Sequence, residues 1–335
     1  MNKLRESLRE NFIKVNGWTD ASCFFLAGDC SNRHYYRLNK PDGTTAVLMD
    51  AYGDNEHIAP FIKIAELLGS LGCSAPKVLG YDMPQRFILL EDLGDATFTY
   101  CLKQGMDPTP LYETAVDALI QIHQNFDVSL CPDLPAYGTE EMLTKNNQFL
   151  DWYYPRIHGT DVTQAIKDAW TDSWHEAFKI LNNAPKTLIL RDFHVDNLLW
   201  LKDRKDHQRC GLLDFQDAAL GGQSYDLVSL FEDVRQDVDQ VMAKKLIQKY
   251  LSHFSYLDEE AFMAQYYTLG AQRITRIIGV FSRMLIQDKR PHYMAFLPRA
   301  WKWLENDLKH DNLLDIRRWF DTHIPPEKRG ILHDN

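Results

Sequence analysis

The sequence predicts an α+β protein of two lobes: a small β-rich N-lobe over residues 1–93 and a larger, mostly helical C-lobe over 94–335. Two observations carry this. Short apolar stretches with strand-like alternation, bounded by Gly, Pro and Asp, fill the first part, whereas spacing of three and four residues dominates from Thr97 onward. The change falls at Asp92, Leu93, Gly94 and Asp95, a polar break after the last strand-like run.

Residues 2–15 have helical spacing, with Leu4, Leu8, Phe12 and Ile13 on one face. Strands are expected at 23–26, 35–38 and 44–49, with Pro41, Asp42 and Gly43 turning between the last two. A helix over 57–71 and strands at 77–81 and 86–91 complete a five-stranded lobe. In the second lobe helices are expected over 110–125, 140–154, 161–182, 225–234, 238–254, 259–286 and 296–308. The exceptions are three short apolar strands at 187–190, 198–201 and 210–213.

The 335 residues carry 37 Lys and Arg against 47 Asp and Glu, a net charge of −10. That balance argues against nucleic acid as a partner, because phosphate contacts need clustered cations. It leaves room for a single nucleotide, whose phosphates a metal ion and a few local donors can meet. The six cysteines (Cys23, Cys30, Cys73, Cys101, Cys131 and Cys210) form no C-x-x-C pair and suit a reducing compartment. The polar start has no signal-peptide character, and no apolar run approaches the roughly 20 residues of a membrane span. A cytoplasmic protein with no membrane partner is expected.

Residues 188–215 hold the chemistry. Asp192 is followed by Asn197 five positions later, and Asp214 closes a short apolar strand. This is what phosphoryl transfer from Mg-ATP requires: a carboxylate that accepts or orients the proton of the attacking hydroxyl, and two oxygen ligands for magnesium. The spacing alone recurs by chance, and its bland alternative is a loop Asp and Asn making turn hydrogen bonds. The flanking strands at 187–190, 198–201 and 210–213 give it context. His194 and Asp196 read as loop-packing and loop-capping residues. Gln216 and Asp217, just past Asp214, are candidate substrate contacts, with a solvated loop as the alternative for Asp217. Gly221 to Val228 ends a loop and opens a helix, where Asp226 can accept backbone N–H bonds and brace the Asp192 segment.

Between the first two strands, residues 28–33 are small and polar. They are read as either a plain hairpin turn or a loop presenting Ser31, Asn32 and backbone N–H groups to phosphates. No G-K-[ST] is present, so it is not a Walker A loop. Arg33 and Arg37 add positive charge beside it. The late helix carries Arg273, Arg276 and Arg283 among apolar residues. A solvated basic stripe is the default reading, and a fork reaching a substrate carboxylate is the sharper one.

Together these segments resemble the aminoglycoside phosphotransferase-like kinases, which implies a bilobal protein-kinase-like fold. The family's H-G-D-x-x-x-x-N and I-D-F/W elements stand here as Leu190-Arg191-Asp192 to Asn197 and Leu213-Asp214-Phe215. The blocks 31–38, 47–51, 89–95, 213–218, 224–230, 272–283 and 297–299 narrow the resemblance to bacterial anomeric kinases of N-acetylmuramate and N-acetylglucosamine. The resemblance implies Asp192 as catalytic base and Asn197 and Asp214 as magnesium ligands. It makes Glu91 to Leu93 the hinge whose backbone meets adenine. ATP and Mg2+ are the implied cofactors, and an amino sugar phosphorylated at C1 the implied substrate, in cell-wall recycling. Kinases of aminoglycosides or choline, and a nucleotide-binding adaptor without turnover, are the alternatives. Two departures stand out: Leu190 replaces the family His, and Met49 occupies the strand position of the phosphate-binding Lys. Met-Asp-Ala is also the pattern of the sugar-kinase group. The phosphate contact is then expected from Arg33 or Arg37.

Overall fold

The computed structural model describes residues 3–28, 33–53 and 57–332. They fall into two compact units. One holds the described residues up to Cys131 together with Val195–Ala218; the other holds Pro132–His194 and the residues from Ala219 onward.

The first unit begins with α1 (Lys3–Val15) and a five-stranded antiparallel sheet of β1 (Ser22–Gly28), β2 (Arg33–Asn39), β3 (Thr45–Ala51), β4 (Val78–Asp82) and β5 (Phe87–Glu91), in the order β1-β2-β3-β5-β4. Helix α2 (Ala59–Ser70) connects β3 to β4. Strand alternation divides the sheet into two faces. Tyr36, Leu38, Ala46, Leu48, Phe87 and Leu89 form a core with Phe12 and Ile13 of α1. The opposite face presents Tyr35, Arg37, Val47 and Leu90 to a cavity.

The buried face of α1 differs from the expected apolar stripe. Leu4 is exposed, while Arg5 and Arg9 are buried. The reason is Asp50 on β3, only 1 % exposed, which needs a counter-charge. Arg5 donates Nε to its Oδ1 at 2.9 Å and stacks on Phe87 at 3.9 Å; Arg9 lies over Tyr36 at 4.2 Å.

Helices α3 (Phe98–Lys103) and α4 (Pro108–Asn125) belong to this unit too, with Thr97 and Asp107 as their N-caps. So does a hairpin given below as β7 and β8. The compact units therefore divide elsewhere than the lobe boundary expected at residue 93. Backbone bonds explain the grouping: Leu212 N–H donates to Ser74 at 2.9 Å and Trp200 N–H to Ala96 at 2.7 Å.

The second unit contains α5 (Thr139–Gln148), a π-turn over Phe149–Tyr153, α6 (Tyr154–His158), α7 (Gln164–Phe178) and strand β6 (Lys186–Ile189). The chain then forms the hairpin β7 (Leu198–Trp200) and β8 (Cys210–Leu212) in the first unit, and returns with β9 (Ala219–Gly222), antiparallel to β6. Helices α8 (Tyr225–Phe231), α9 (Gln240–Ser252), α10 (Glu259–Ile286), α11 (Leu297–Asp307) and α12 (Leu314–His323) complete it. Strand β9 was not expected, because Gly221 and Gly222 read as loop. Gly221 packs closely there: a Cβ would meet Ile189 Cδ1 at 2.4 Å, so the Ile189 side chain would have to shift. No described helix is long and apolar enough to cross a membrane.

The 28-residue α10 runs against α5, α8 and α11. It comes close to neighbouring backbone at Gly279, where a Cβ would stand 2.5 Å from Gln148 C and Phe149 N. Backbone cannot rotate away as a side chain can. Gly279→Ala is expected to destabilise the protein by about 1–3 kcal/mol, read as a lower denaturation midpoint.

Candidate active site

The cavity under the sheet of the first unit encloses about 370 Å³. Its walls are apolar: Leu26, Tyr35, Val47, Phe61, Leu90, Leu199 and Leu213 among them. Glu91, Asp92, Leu93 and Gly94 border it where β5 ends, and Gly28, Asn197 and Asp214 also line it. An apolar cavity of this size suits a purine base, and the side-chain oxygens of Asn197 and Asp214 in its lining suit the metal that accompanies phosphates.

The two candidate metal ligands, Asn197 and Asp214, flank the β7–β8 hairpin. Leu213 N–H bonds to Asn197 C=O at 2.9 Å, and Asn197 Nδ2 lies 3.4 Å from Asp214 Oδ2. Asp214 has φ 57°, a left-handed conformation that Asp tolerates better than most residues. Phe215 is buried and packs on Phe61 of α2 at 4.9 Å, which fixes the turn. Gln216, expected to meet substrate, donates Nε2 to Asp214 Oδ1 at 2.8 Å; Asp217 is exposed. Asp196 accepts the Thr99 hydroxyl, and Thr99 N–H bonds to Val195 C=O at 3.2 Å. Among the described residues no cluster of three or more His, Cys, Asp or Glu could hold a metal. An Asp and an Asn fit magnesium, which keeps waters and takes its remaining ligands from phosphate.

Arg37 lines the same cavity, but its guanidinium is engaged. It reaches Asp92 at 2.7 Å through Nε and Asp95 at 2.7 Å through Nη1. Its hydrogen bond holds the Asp95 carboxyl below the usual range. Asp92 in turn accepts Gly94 N–H at 2.9 Å. Arg37 thus clamps the segment after β5. Glu91 is held through its side chain by Arg204 at 2.6 Å, and its backbone N–H donates to Lys77 C=O at 2.8 Å. Met49 is fully buried, paired with Tyr35 and Ile88, and offers no cation. Arg33 starts β2 on the cavity face, by alternation with Tyr35 and Arg37. Ser31 and Asn32 lie outside the described residues.

Asp192 belongs to the second unit, half-buried on the turn after β6. The preceding residue, Arg191, has φ 71°. That strained turn is held by Asp226, fully buried at the start of α8, which accepts Leu190 N–H at 2.6 Å and Arg191 N–H at 2.9 Å. Burial pushes the Asp226 carboxyl up to about 7, against the pull of those two N–H groups and Arg273. His194 is 5 % exposed; burial, with Arg235 and Arg273, holds its pKa well below the usual value, so it packs the loop as a neutral ring. Arg273 is 3 % exposed and Arg276 half-buried, so α10 presents no solvated basic stripe here. Tyr137 lies beside them, its ring under the Arg191 guanidinium at 4.9 Å and against Tyr225 at 5.2 Å.

Residues 24–266 match the model of the phosphotransferase enzyme family. The chain belongs to that family. Among curated relatives, the N-acetylmuramate/N-acetylglucosamine kinase of Caulobacter vibrioides is 32 % identical across 97 % of this chain and 98 % of its own length. The protein of the same name from Neisseria meningitidis is 30 % identical across 87 % of this chain and 89 % of its own. Solved structures share the fold: a choline/ethanolamine kinase family protein from Mesorhizobium loti (TM-score 0.63, 13 % identity, 94 % of this chain and 99 % of that one), and ADP-bound aminoglycoside phosphotransferase APH(2'')-Ib (TM-score 0.61, 14 % identity, 89 % and 96 %). The expected resemblance is borne out, and the protein is a phosphotransferase with the kinase-like fold of its family.

Sequence reasoning about this phosphotransferase passed over Tyr137, Tyr35 and Arg191. Tyr137 follows a proline-containing loop and belongs to no motif. Its role is set by α10, more than 120 residues away in the chain.

The Asp226 brace has a measurable signature. In Asp226→Asn the amide nitrogen faces a backbone N–H, so about 1–3 kcal/mol of stability should be lost, together with kcat. The pH dependence has a definite sign. The folded carboxyl titrates at about 7 against 3.8 in its unperturbed state, so the folded state binds the extra proton. The stability advantage of wild type over Asp226→Asn should therefore shrink as pH rises from about 4 to about 7, as chemical denaturation across that range will show.

Proposed function

We propose that this phosphotransferase moves the γ-phosphoryl group of ATP, with Mg2+, to the anomeric C1 hydroxyl of N-acetylmuramate and N-acetylglucosamine, in the cytoplasm, as a step of cell-wall recycling. The observation that carries the reading is the likeness to the Caulobacter vibrioides kinase of that name over nearly the whole of both chains. The cavity supports it with an apolar slot, a clamped segment after β5 and two oxygen ligands. In this reading residues 1–93 are the nucleotide lobe, and 94–335 carry the catalytic loop, the metal ligands and the acceptor pocket.

Asp192 takes or orients the proton of the sugar hydroxyl. A hemiacetal hydroxyl is more acidic than an ordinary alcohol, so an unexceptional carboxylate suffices as base. Asn197 and Asp214 would hold the metal, and Gln216 bonds to the Asp214 carboxylate at 2.8 Å. Magnesium, when bound, neutralises charge on the phosphates and orients them. Most of the rate then comes from alignment and charge neutralisation.

The test is turnover of N-acetylmuramate, N-acetylglucosamine, plain hexoses, choline and aminoglycosides with ATP, the phosphate position being read by NMR. A sugar 1-phosphate is expected, lost on chelating Mg2+. Asp192→Asn should lower kcat by about 10²–10⁴ with nucleotide binding retained. Nucleotide binding without turnover of any acceptor would sink the reading in favour of an adaptor.

The phosphate contact missing at Met49 is assigned to Arg33, which starts β2 on the face of the sheet that carries Tyr35 and Arg37. Arg33→Ala should raise the KM for ATP about tenfold, within the range of one charge-assisted hydrogen bond. An unchanged KM for ATP would remove Arg33 from the phosphate site.

A further inference from the structure

Arg37 stands on β2 in a row that crosses the sheet, opposite Val47 of β3, which is itself opposite Leu90 of β5. All three residues line the cavity. The guanidinium meets the chain beyond the end of β5. Nη1 donates to Asp95 Oδ2 at 2.7 Å, and Nη2 donates to Asp95 Oδ1 at 2.8 Å and to Asp92 Oδ1 at 3.0 Å. Nε lies 2.7 Å from Asp92 Oδ2, a charge contact rather than an aligned hydrogen bond. Every nitrogen of the fork therefore faces a carboxylate, and the three groups together carry one more negative charge than positive.

The two pairs differ in shelter. The Asp92 side chain is 6 % exposed and the Asp95 side chain 70 %. Exposed pairs contribute little because water screens them, so most of the hold comes from the Asp92 half. Asp92 also accepts the Gly94 N–H at 2.9 Å, and Gly94 has φ 82°. A segment reading Asp-Leu-Gly-Asp has little of its own to keep one conformation, since glycine loses the most backbone freedom on being fixed. A side chain from two strands away supplies what the segment lacks.

The place where Arg37 acts decides which end of a nucleotide depends on it. A phosphate would have to displace Asp92 or Asp95 to reach the guanidinium, and would then lie beside the displaced carboxylate, where like charges oppose it. Asp92, Leu93 and Gly94 line the cavity, and the flat apolar part of a nucleotide, its base, is what an apolar cavity takes. Backbone groups match the polar edge of a base at least cost when they are already held in place.

We propose that Arg37 is a positioning residue for the base end of the nucleotide: by holding Asp92 and Asp95 it fixes residues 92–94 in the cavity lining, and it makes no contact with the phosphates. This rests on the nucleotide reading of the cavity given above.

The experiment measures Kd for adenosine and for ADP, without metal, on the full chain as wild type, Arg37→Gln, Arg37→Lys, Asp92→Asn and Asp95→Asn, with thermal melts of the ligand-free proteins. In Arg37→Gln both Kd values should rise by the same factor, about tenfold, the scale of a lost charge-assisted hydrogen bond. Arg37→Lys should recover only part of that, because a point charge does not fork onto two carboxylates. Asp92→Asn should weaken both ligands alike, although it removes a negative charge and releases the guanidinium; an Arg37 that served phosphate would bind ADP more tightly in that variant. Asp95→Asn should change either Kd by less than about twofold. The Arg37 and Asp92 variants test the clamp from its two sides, so either suffices should the other not fold. A loss confined to ADP in Arg37→Gln, or tighter ADP binding in Asp92→Asn, overturns the proposal. So does a lower melting temperature with both Kd values unchanged, which would leave the clamp a role in stability alone. If wild type binds neither adenosine nor ADP, the nucleotide reading fails first, before any variant is compared.

Discussion

A buried carboxylate holds the turn that carries Asp192. Asp226 is fully enclosed, and its two oxygens take the N–H groups of Leu190 and Arg191, the second of which lies in the left-handed region. A non-glycine residue there costs energy unless its surroundings enforce it. Here enforcement comes from the start of α8, and α8 is itself delivered by β9 pairing with β6. Arg273 of α10 supplies the counter-charge that offsets burial of Asp226. The direction in which Asp192 faces is thus a property of two strands and two helices acting through a single side chain.

The sheet of the first unit applies a similar economy. Its period of two sends one set of side chains to α1 and the other to the cavity lined by Tyr35, Arg37, Val47 and Leu90. Consecutive residues Met49 and Asp50 therefore meet opposite fates. Asp50 joins Arg5 and Arg9 behind the sheet, while Met49 is buried between Tyr35 and Ile88 on the cavity side. With an apolar residue at that position, the cations of β2 become the important ones. Arg37 secures the segment after β5 through Asp92 and Asp95, and Arg33 starts the strand at the other end.

Much of this was legible before any coordinates. All five strands of the first sheet and the helix between β3 and β4 were expected, because alternation and turn residues are local signals. Asp192, Asn197 and Asp214 were picked out by spacing, and the structure places Asn197 and Asp214 together, flanking one hairpin and lining the cavity. Asp226 was read as a brace, and it accepts the N–H groups of Leu190 and Arg191. What escaped notice depended on distant neighbours. Arg5 and Arg9 look like the polar face of α1 until Asp50 is found inside the sheet, and β9 looks like a glycine loop until Ile189 is seen to need the space. Arg37, expected near phosphates, is bound by carboxylates 55 and 58 residues further on. Gln216, expected at the acceptor, donates to Asp214 at 2.8 Å.

By itself, then, the sequence determined the reaction class and the order of elements, because a phosphoryl-transfer site needs particular oxygens at short spacing and strands announce themselves over a few residues. Only the tertiary structure decided which charges are spent and which are left available. Lys and Arg look alike along a chain. Arg5, Arg37 and Arg273 are committed to buried or clustered carboxylates, whereas Arg283 lies 4.0 Å from Asp288 with more than a third of its side chain exposed. That difference arises from burial, and burial is set by what folds over a residue rather than by what adjoins it in sequence.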